Sequence, residues 1–192
     1  AARALGIPVR TLVARRSAVG PALRALRPYQ WVKNVLLFAP ILLAHEVASL
    51  TRWTHVVLAF ATFCAVASAT YLWNDLLDVE ADRAHPRKRT RPFAAGTLAI
   101  PTGFGLSLAL LGAGFGVSLA FLSWKASAML AGYLVLTTSY SFVFKERVFL
   151  DVLLLAGLYT HRILAGGVAA GVAVSPWLLA FSMFFFLSLA FV

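Results

Sequence analysis

Charged residues are scarce in this chain of 192 residues: they make up 12% of it, while 61% of the residues are apolar. A soluble domain carries about 25% charged residues, so an ordinary water-soluble domain is excluded. The N-terminal segment lacks the apolar stretch of a signal peptide and contains Pro and Arg throughout, so no signal peptide is predicted. The one cysteine, Cys64, lies in an apolar stretch and gives no indication of disulfide or redox chemistry.

The apolar residues form long continuous blocks. Each block approaches the ~20 residues that a helix needs to cross a bilayer, and none shows the alternation of membrane strands. We therefore predict an all-α fold, a polytopic transmembrane helical bundle with about six helices, at residues 31–49, 54–76, 98–122, 126–144, 148–171 and 175–192. Glycines of the third and fifth blocks are assigned to close helix packing: Gly112, Gly114, Gly116, Gly166, Gly167 and Gly171. The last block stops within an apolar run and residue 1 is not Met, so we expect the chain to be part of a longer polypeptide.

The basic residues predict the orientation in the membrane. If the N-terminus is inside, fourteen of the seventeen Lys and Arg residues lie in the inside segments 1–33, 77–97 and 145–147, as the positive-inside rule requires. We expect a multi-pass protein of the cell (plasma or inner) membrane whose active site faces the cytoplasm. The same rule, with attraction to anionic lipid headgroups, explains the net charge of +10 and the basic residues at 3–27. No nucleic-acid partner is expected.

The acidic residues need a separate explanation, because acids contribute little to orientation. Residues 71–92 read YLWNDLLDVEADRAHPRKRTRP, in which Asp75, Asp78 and Asp82 are spaced i, i+3 and i+7. On one helix this spacing predicts a single stripe, where like charges repel by roughly 0.2–0.5 kcal/mol per pair. A cation must offset that repulsion. Mg²⁺ is suitable, because it takes oxygen ligands and is held by one or two carboxylates together with substrate phosphates.

A basic loop follows the aspartates directly, with His85, Arg87, Lys88, Arg89 and Arg91 between Pro86 and Pro92 or beside them. Metal ions can bridge the oxygens of a diphosphate from one side while Arg and Lys neutralise the others. The alternative is a helix end with solvated acids and an ordinary positive-inside loop. The combined pattern favours a site for a Mg²⁺-bound diphosphate.

The run Asn74-Asp75-x-x-Asp78-x-x-x-Asp82, with the continuation from His85-Pro86 to Arg91-Pro92, resembles the first aspartate motif of the UbiA superfamily of intramembrane prenyltransferases. The resemblance covers residues 22–192. It implies a bundle of about nine transmembrane helices, with Mg²⁺ and a diphosphate at its cytoplasmic mouth. Residues 1–27 would then be a basic cytoplasmic segment or linker, and residues 28–192 a C-terminally incomplete UbiA-like domain. The catalytic residues implied are Asn74, Asp75, Asp78 and Asp82, the three aspartates being the metal ligands.

Arg162 lies within the fifth block, where a charge costs at least ~2.5 kcal/mol and needs a partner or a water-filled cavity. Asp151 precedes it by three turns on about the same face, which favours a cavity shared by both. Asp151 stands alone, because the residue four positions later is Leu155 and not the second aspartate that family members commonly carry. Tyr140 and Lys145 are present, one residue further apart than in the family pattern.

The segment Arg-Pro-x-Gln-Trp-x-Lys-Asn at 27–34, the single Asp151 and Arg162 together resemble one branch of the superfamily, the decaprenyl-phosphate phosphoribosyltransferases. This resemblance implies Mg²⁺-dependent transfer of 5-phosphoribose from phosphoribosyl diphosphate to a polyprenyl phosphate, for cell-wall arabinan precursors. The substrate-binding residues implied are Gln30, Lys33, Asn34, Lys88, Arg91, Tyr140, Lys145, Asp151 and Arg162.

Two other functions stay open. A conventional UbiA enzyme would join a prenyl diphosphate to an aromatic acceptor and would use the same first motif. A transporter or channel would need a second polar vestibule outside, where the predicted loops are short and nearly uncharged. The lipid chain length, a homo-oligomeric state and a fused N-terminal soluble domain are not determined by the sequence.

Overall fold

The computed structural model describes residues 19–45, 48–141 and 148–191. These ranges contain helices and no strand, which confirms the predicted all-α class. In chain order the elements are α1 (Val19–Ala25), a 3₁₀ helix (Pro28–Phe38), α2 (Ala39–Leu43), α3 (Leu50–Leu77), α4 (Val79–Ala84), a 3₁₀ turn (Lys88–Thr90), α5 (Ile100–Phe121), α6 (Trp124–Ser139), α7 (Val148–Ala170) and α8 (Pro176–Ala190).

Three of these helices are long and apolar enough to cross a membrane: α3, α5 and the Leu150–Ala170 part of α7. The other two predicted blocks of the second half form shorter helices, α6 with 16 residues and α8 with 15. The last five predicted blocks therefore each correspond to one helix. The C-terminal end of α3 and the residues that follow α6 line one cavity together with Lys88 of the 3₁₀ turn.

The first predicted block, residues 31–49, is wrong as a single α-helix. The chain forms an 11-residue 3₁₀ helix that begins at Pro28 and then the five-residue α2. Runs of 3₁₀ helix longer than about four residues are uncommon, so tertiary contacts must stabilise this one. Asn34 and Leu37 are buried on one line of the helix, and the Trp31 indole on the same line donates a hydrogen bond to Ser68 Oγ at 3.0 Å.

Helix α7 packs directly on the backbone of the 3₁₀ helix at Gly166. A Cβ atom at this position would lie 2.0 Å from the carbonyl oxygen of Leu37, so only glycine fits. Gly114 and Gly167 also lie against neighbouring side chains, as expected for close packing. At Gly112, Gly116 and Gly171 a Cβ would meet none of the described residues within 4 Å, so the close packing expected there is not seen among them.

Candidate functional site

The aspartate motif lies where α3 ends. The helix ends at Leu77, Asp78 follows with φ −88° and ψ 7°, and Asp82 belongs to α4. The single uninterrupted stripe predicted for the three aspartates is therefore wrong, because the chain leaves α-helical geometry at Asp78. Asp75 and Asp82 both contact one basic side chain, Arg91. Both carboxylates are buried, with 2% exposure each.

Two arginines neutralise these buried carboxylates. Arg27 donates a hydrogen bond to Asp75 Oδ1 at 2.5 Å, and Arg91 donates to the same oxygen at 3.2 Å. Arg91 also donates to both oxygens of Asp82, at 3.2 and 2.9 Å. Buried carboxylates require such partners, since an unpaired buried charge is very costly. We call Arg27, Asp75 and Arg91 the arginine bridge.

Arg27 is the site residue that the sequence patterns missed, because the positive-inside rule already explained it. Its backbone has a φ of 52°, in the left-handed region. This conformation costs a non-glycine residue of order 1–3 kcal/mol and is concentrated at functional sites. The guanidinium also lies 5.1 Å from the ring centroid of Tyr71. The sequence feature that could have identified Arg27 is its position next to Pro28, within the segment that resembles the phosphoribosyltransferases.

The motif faces a cavity of about 440 Å³, the outer cavity, lined by Arg27, Tyr71, Asn74, Asp75, Leu77, Asp78, Lys88, Arg91, Tyr140 and Ser141. The structure thus brings together most of the predicted diphosphate-binding residues. Asn74 donates its amide to Ser141 Oγ at 3.1 Å, so its carbonyl oxygen is the atom that can ligate a cation.

The chemistry of this donor set fits a hard cation bound together with phosphates. Asn74, Asp75 and Asp78 supply oxygens, and Lys88 and Arg91 supply positive charge around the same cavity. Within the described residues no three His, Cys, Asp or Glu side chains are close enough to hold a metal ion unaided. Mg²⁺ typically needs only one or two carboxylates when phosphates complete its shell, so this arrangement suits a cation that arrives with a diphosphate.

A second cavity of about 250 Å³, the inner cavity, lies deeper among the 3₁₀ helix, α3, α6 and α7. Its lining comprises Gln30, Lys33, Thr70, Tyr71, Asn74, Tyr133, Thr137, Tyr140, Ser141, Leu155, Leu158, Tyr159 and Arg162. Four of these residues, Tyr71, Asn74, Tyr140 and Ser141, also line the outer cavity. The two cavities are therefore neighbours, and a single elongated ligand could reach both.

Arg162 is buried, with 5% exposure. Its Nε donates to Asn34 Oδ1 at 2.9 Å and its other nitrogens to the Leu158 carbonyl and the Tyr133 hydroxyl. All of these partners are neutral. Asn34 lies behind Arg162 and donates its own amide to Cys64 Sγ at 3.3 Å. Asn34 therefore positions Arg162 and is not among the residues that line either cavity.

Asp151, which we expected to share a cavity with Arg162, lines neither cavity and lies close to Tyr140 instead. Its Oδ1 is buried and has no hydrogen-bond partner among the residues that the structure describes. Because Tyr140 lines both the outer and the inner cavity, Asp151 is connected to them through that tyrosine. Lys145 lies outside the described residues.

A third cavity, which no sequence pattern predicted, lies on the other side of the arginine bridge. This arginine cavity has a volume of about 340 Å³ and is lined by Arg24, Arg27, Tyr29, Asp75, Thr90, Arg91 and Pro92. All three residues of the bridge line both this cavity and the outer one. The bridge is therefore the partition between them.

Comparison with known proteins gives consistent matches. Residues 35–192 match the UbiA prenyltransferase family. The decaprenyl-phosphate phosphoribosyltransferase of Corynebacterium glutamicum is 43% identical over 165 residues, which cover 84% of this chain and 50% of that protein. A Sinorhizobium fredii protein, named uncharacterized protein y4nM, is 42% identical over 189 residues, or 98% of this chain and 36% of that one. The chain thus spans half or less of the length of these two relatives.

The fold also matches a solved structure of a UbiA homolog from Archaeoglobus fulgidus bound to DMAPP and Mg²⁺. The TM-score is 0.71 at 20% sequence identity, over 88% of this chain and 61% of the other. At this identity the match concerns the fold alone.

Proposed function

We propose a phosphoribosyl transfer activity for this chain, which belongs to the UbiA prenyltransferase family. The full protein would transfer 5-phosphoribose from phosphoribosyl diphosphate to a polyprenyl phosphate, with Mg²⁺, in a reaction that supplies cell-wall arabinan precursors. The 43% identical relative that bears the name decaprenyl-phosphate phosphoribosyltransferase supports this choice of substrates. The protein would be a multi-pass protein of the cell membrane with its site facing the cytoplasm. Residues 1–27 would be a basic cytoplasmic segment whose last part, α1 and Arg27, packs against the domain.

The observation that carries the proposal is the positive charge that lines the inner cavity. Lys33 and Arg162 both line it, and its described lining contains no carboxylate. A buried cation without an anionic partner is costly at membrane depth, so the cavity is suited to an anionic ligand group. Phosphoribosyl diphosphate carries a diphosphate at one end and a 5-phosphate at the other, which matches an outer and an inner cavity that share one wall.

The residue roles follow from the two cavities. Lys88 and Arg91 would donate to diphosphate oxygens in the outer cavity, and Arg91 is held in place there by Asp82. Gln30, Lys33 and Arg162 would hold the 5-phosphate in the inner cavity. Arg–phosphate contacts are charge-assisted and directional. Tyr140, supported by Asp151, stands where the two cavities meet, and Lys145 stays a predicted phosphate ligand.

Asn74, Asp75 and Asp78 would hold Mg²⁺ against the diphosphate, and the ion would stabilise the charge that develops on the leaving group. Asp82 stays a predicted ligand, although its carboxylate is engaged with Arg91 here. The acceptor phosphate is ionised at pH 7 because its second pKa is about 6. The reaction therefore requires no general base, in agreement with the absence of a candidate His or Glu base among the described cavity-lining residues.

The test uses the full-length protein in detergent or lipid, with Mg²⁺, radiolabelled phosphoribosyl diphosphate and polyprenyl phosphate. We expect a labelled lipid whose formation is lost in Asp78→Asn. Glu80→Gln is the matched control, because Glu80 is an exposed acid two residues away that lines none of the three cavities. Consumption of a prenyl diphosphate with an aromatic acceptor, and no labelled lipid, would overturn the proposal in favour of a conventional prenyltransferase.

A further inference from the structure

The arginine cavity has the charge of a phosphate site that the proposed donor does not fill. Three arginines line it, Arg24, Arg27 and Arg91, and its one carboxylate, Asp75, is already paired with two of them. Arg27 and Arg91 are balanced by Asp75 and Asp82, so the positive charge left over is that of the exposed Arg24. This charge attracts a phosphate monoester, which carries about −1.5 to −2 charges at pH 7. Guanidinium groups match phosphate oxygens in geometry as well as in charge.

The 3₁₀ helix leads from this cavity into the membrane region with one apolar line. A 3₁₀ helix has about three residues per turn, so residues three apart align. Tyr29, Val32 and Val35 form such a line, which we call the Tyr29 line, and their side chains are 67%, 68% and 52% exposed. The line begins at Tyr29, which itself lines the arginine cavity. At a rise of about 2 Å per residue it extends roughly 12 Å, which is long enough to contact several isoprene or methylene groups.

The other two lines of the same helix are occupied differently. Gln30 and Lys33 line the inner cavity, whereas Asn34 and Leu37 are buried. The Tyr29 line is thus the face that can meet a lipid chain without competing with the donor.

From this arrangement we propose that the arginine cavity binds the phosphate of the polyprenyl phosphate acceptor, whose chain lies along Tyr29, Val32 and Val35. The assignment rests on the proposed function for the identity of the acceptor. The acceptor phosphate and the donor diphosphate then occupy the two sides of the arginine bridge. Transfer then requires that the Arg27 and Arg91 side chains move aside. An oxygen of the acceptor phosphate then forms a bond to the anomeric carbon, the bond from that carbon to the diphosphate breaks, and the diphosphate leaves with the electron pair.

The first test measures binding of polyprenyl phosphate to the full-length protein in nanodiscs of neutral lipid, without a donor. We expect Arg24→Gln to weaken this binding about tenfold or more, because a hydrogen bond to a charged group contributes about 1.5–3 kcal/mol and 1.4 kcal/mol corresponds to about tenfold. Arg83→Gln is the control, since Arg83 is an exposed arginine of α4 that lines none of the three cavities. Arg24→Lys, which keeps the charge, should recover part of the affinity. Unchanged binding in Arg24→Gln would overturn the proposal.

The second test separates the chain from the phosphate. Val32→Asn should weaken binding of long-chain polyprenyl phosphate while leaving inorganic phosphate binding unchanged. Val135→Asn is the control, because Val135 is 63% exposed on α6 and lines none of the three cavities. Equal effects of both variants would overturn the assignment of the chain to the Tyr29 line.

Two further arms distinguish the sources of the phosphate and the two proposals. If phosphatidylglycerol, a phosphodiester, competes as well as polyprenyl phosphate, the cavity is a general anionic-lipid site and the acceptor assignment is wrong.

In the transfer assay, Arg24→Gln should raise KM for polyprenyl phosphate about tenfold and leave KM for phosphoribosyl diphosphate within about twofold. If the wild-type protein transfers phosphoribose and Arg24→Gln leaves both KM values unchanged, the acceptor subsite is wrong and the proposed reaction stands. If the wild-type protein binds polyprenyl phosphate through Arg24 but transfers no phosphoribose, the proposed reaction is wrong and the lipid-phosphate site stands.

Discussion

Gly166→Ala is the substitution whose consequence the geometry determines most directly. The added Cβ would lie 2.0 Å from the Leu37 oxygen and 2.7 and 2.8 Å from its carbonyl carbon and Cα. Real Cβ contacts do not fall below 3.0 Å, so α7 and the 3₁₀ helix must separate by about 1 Å. The obstructing atoms are backbone and cannot rotate away. Overpacking of this kind typically costs about 1–3 kcal/mol, and a chain of this size loses roughly 2–4 °C of melting temperature per kcal/mol.

The displacement should also reach the site, because the two helices that separate carry Lys33 on one side and Arg162 on the other. The Asn34–Arg162 hydrogen bond joins them directly. We therefore expect a lower melting temperature in detergent and a higher KM for phosphoribosyl diphosphate. Gly112→Ala is the matched control, since a Cβ there meets no described residue within 4 Å. Equal melting temperatures and activities for Gly166→Ala and Gly112→Ala would show that the contact between α7 and the 3₁₀ helix is wrong.

Three further substitutions test individual roles in the site. Arg162→Gln should raise KM for phosphoribosyl diphosphate by roughly 10- to 100-fold, the equivalent of a lost charged hydrogen bond of about 1.5–3 kcal/mol; an unchanged KM in a folded variant would remove Arg162 from phosphate binding. Asp82→Asn should raise KM for phosphoribosyl diphosphate at saturating Mg²⁺, because Asp82 holds the Arg91 guanidinium. Arg91→Lys should raise it as well. A higher Mg²⁺ requirement with no change in KM would instead make Asp82 a metal ligand.

The helical blocks and the clustering of the motif residues could be predicted from the sequence, because strong physical constraints leave a direct record there. A bilayer imposes a run of ~20 apolar residues, and the five blocks after the first each correspond to a helix. Membrane topology likewise does not explain why the acids cluster on the basic face. Asn74, Asp78, Lys88 and Arg91 therefore line one cavity, as the spacing of the motif suggested.

The remaining features depend on tertiary contacts that leave no periodic signal. An apolar block does not distinguish an α-helix from a 3₁₀ helix, and the long 3₁₀ helix requires neighbours such as Ser68 and Gly166. Arg27 looked like one more inside arginine, because nothing in its own segment shows that it pairs with Asp75, 48 residues away. The break at Asp78 and the neutral partners of Arg162 could not be read from spacing either.

The 3₁₀ geometry also explains how one short segment can serve three environments. An α-helix advances about 100° per residue, so Tyr29, Val32 and Val35 would drift by about 120° around its axis over two steps. At about three residues per turn the same residues stay aligned. Tyr29, Gln30 and Trp31 can then begin three separate lines, toward lipid, toward the inner cavity and toward the core. The strained Arg27 at the start of this helix places its guanidinium on Asp75, between the two proposed phosphate sites. The unusual helix is therefore the element that can align an acceptor chain, a donor phosphate and the partition between them.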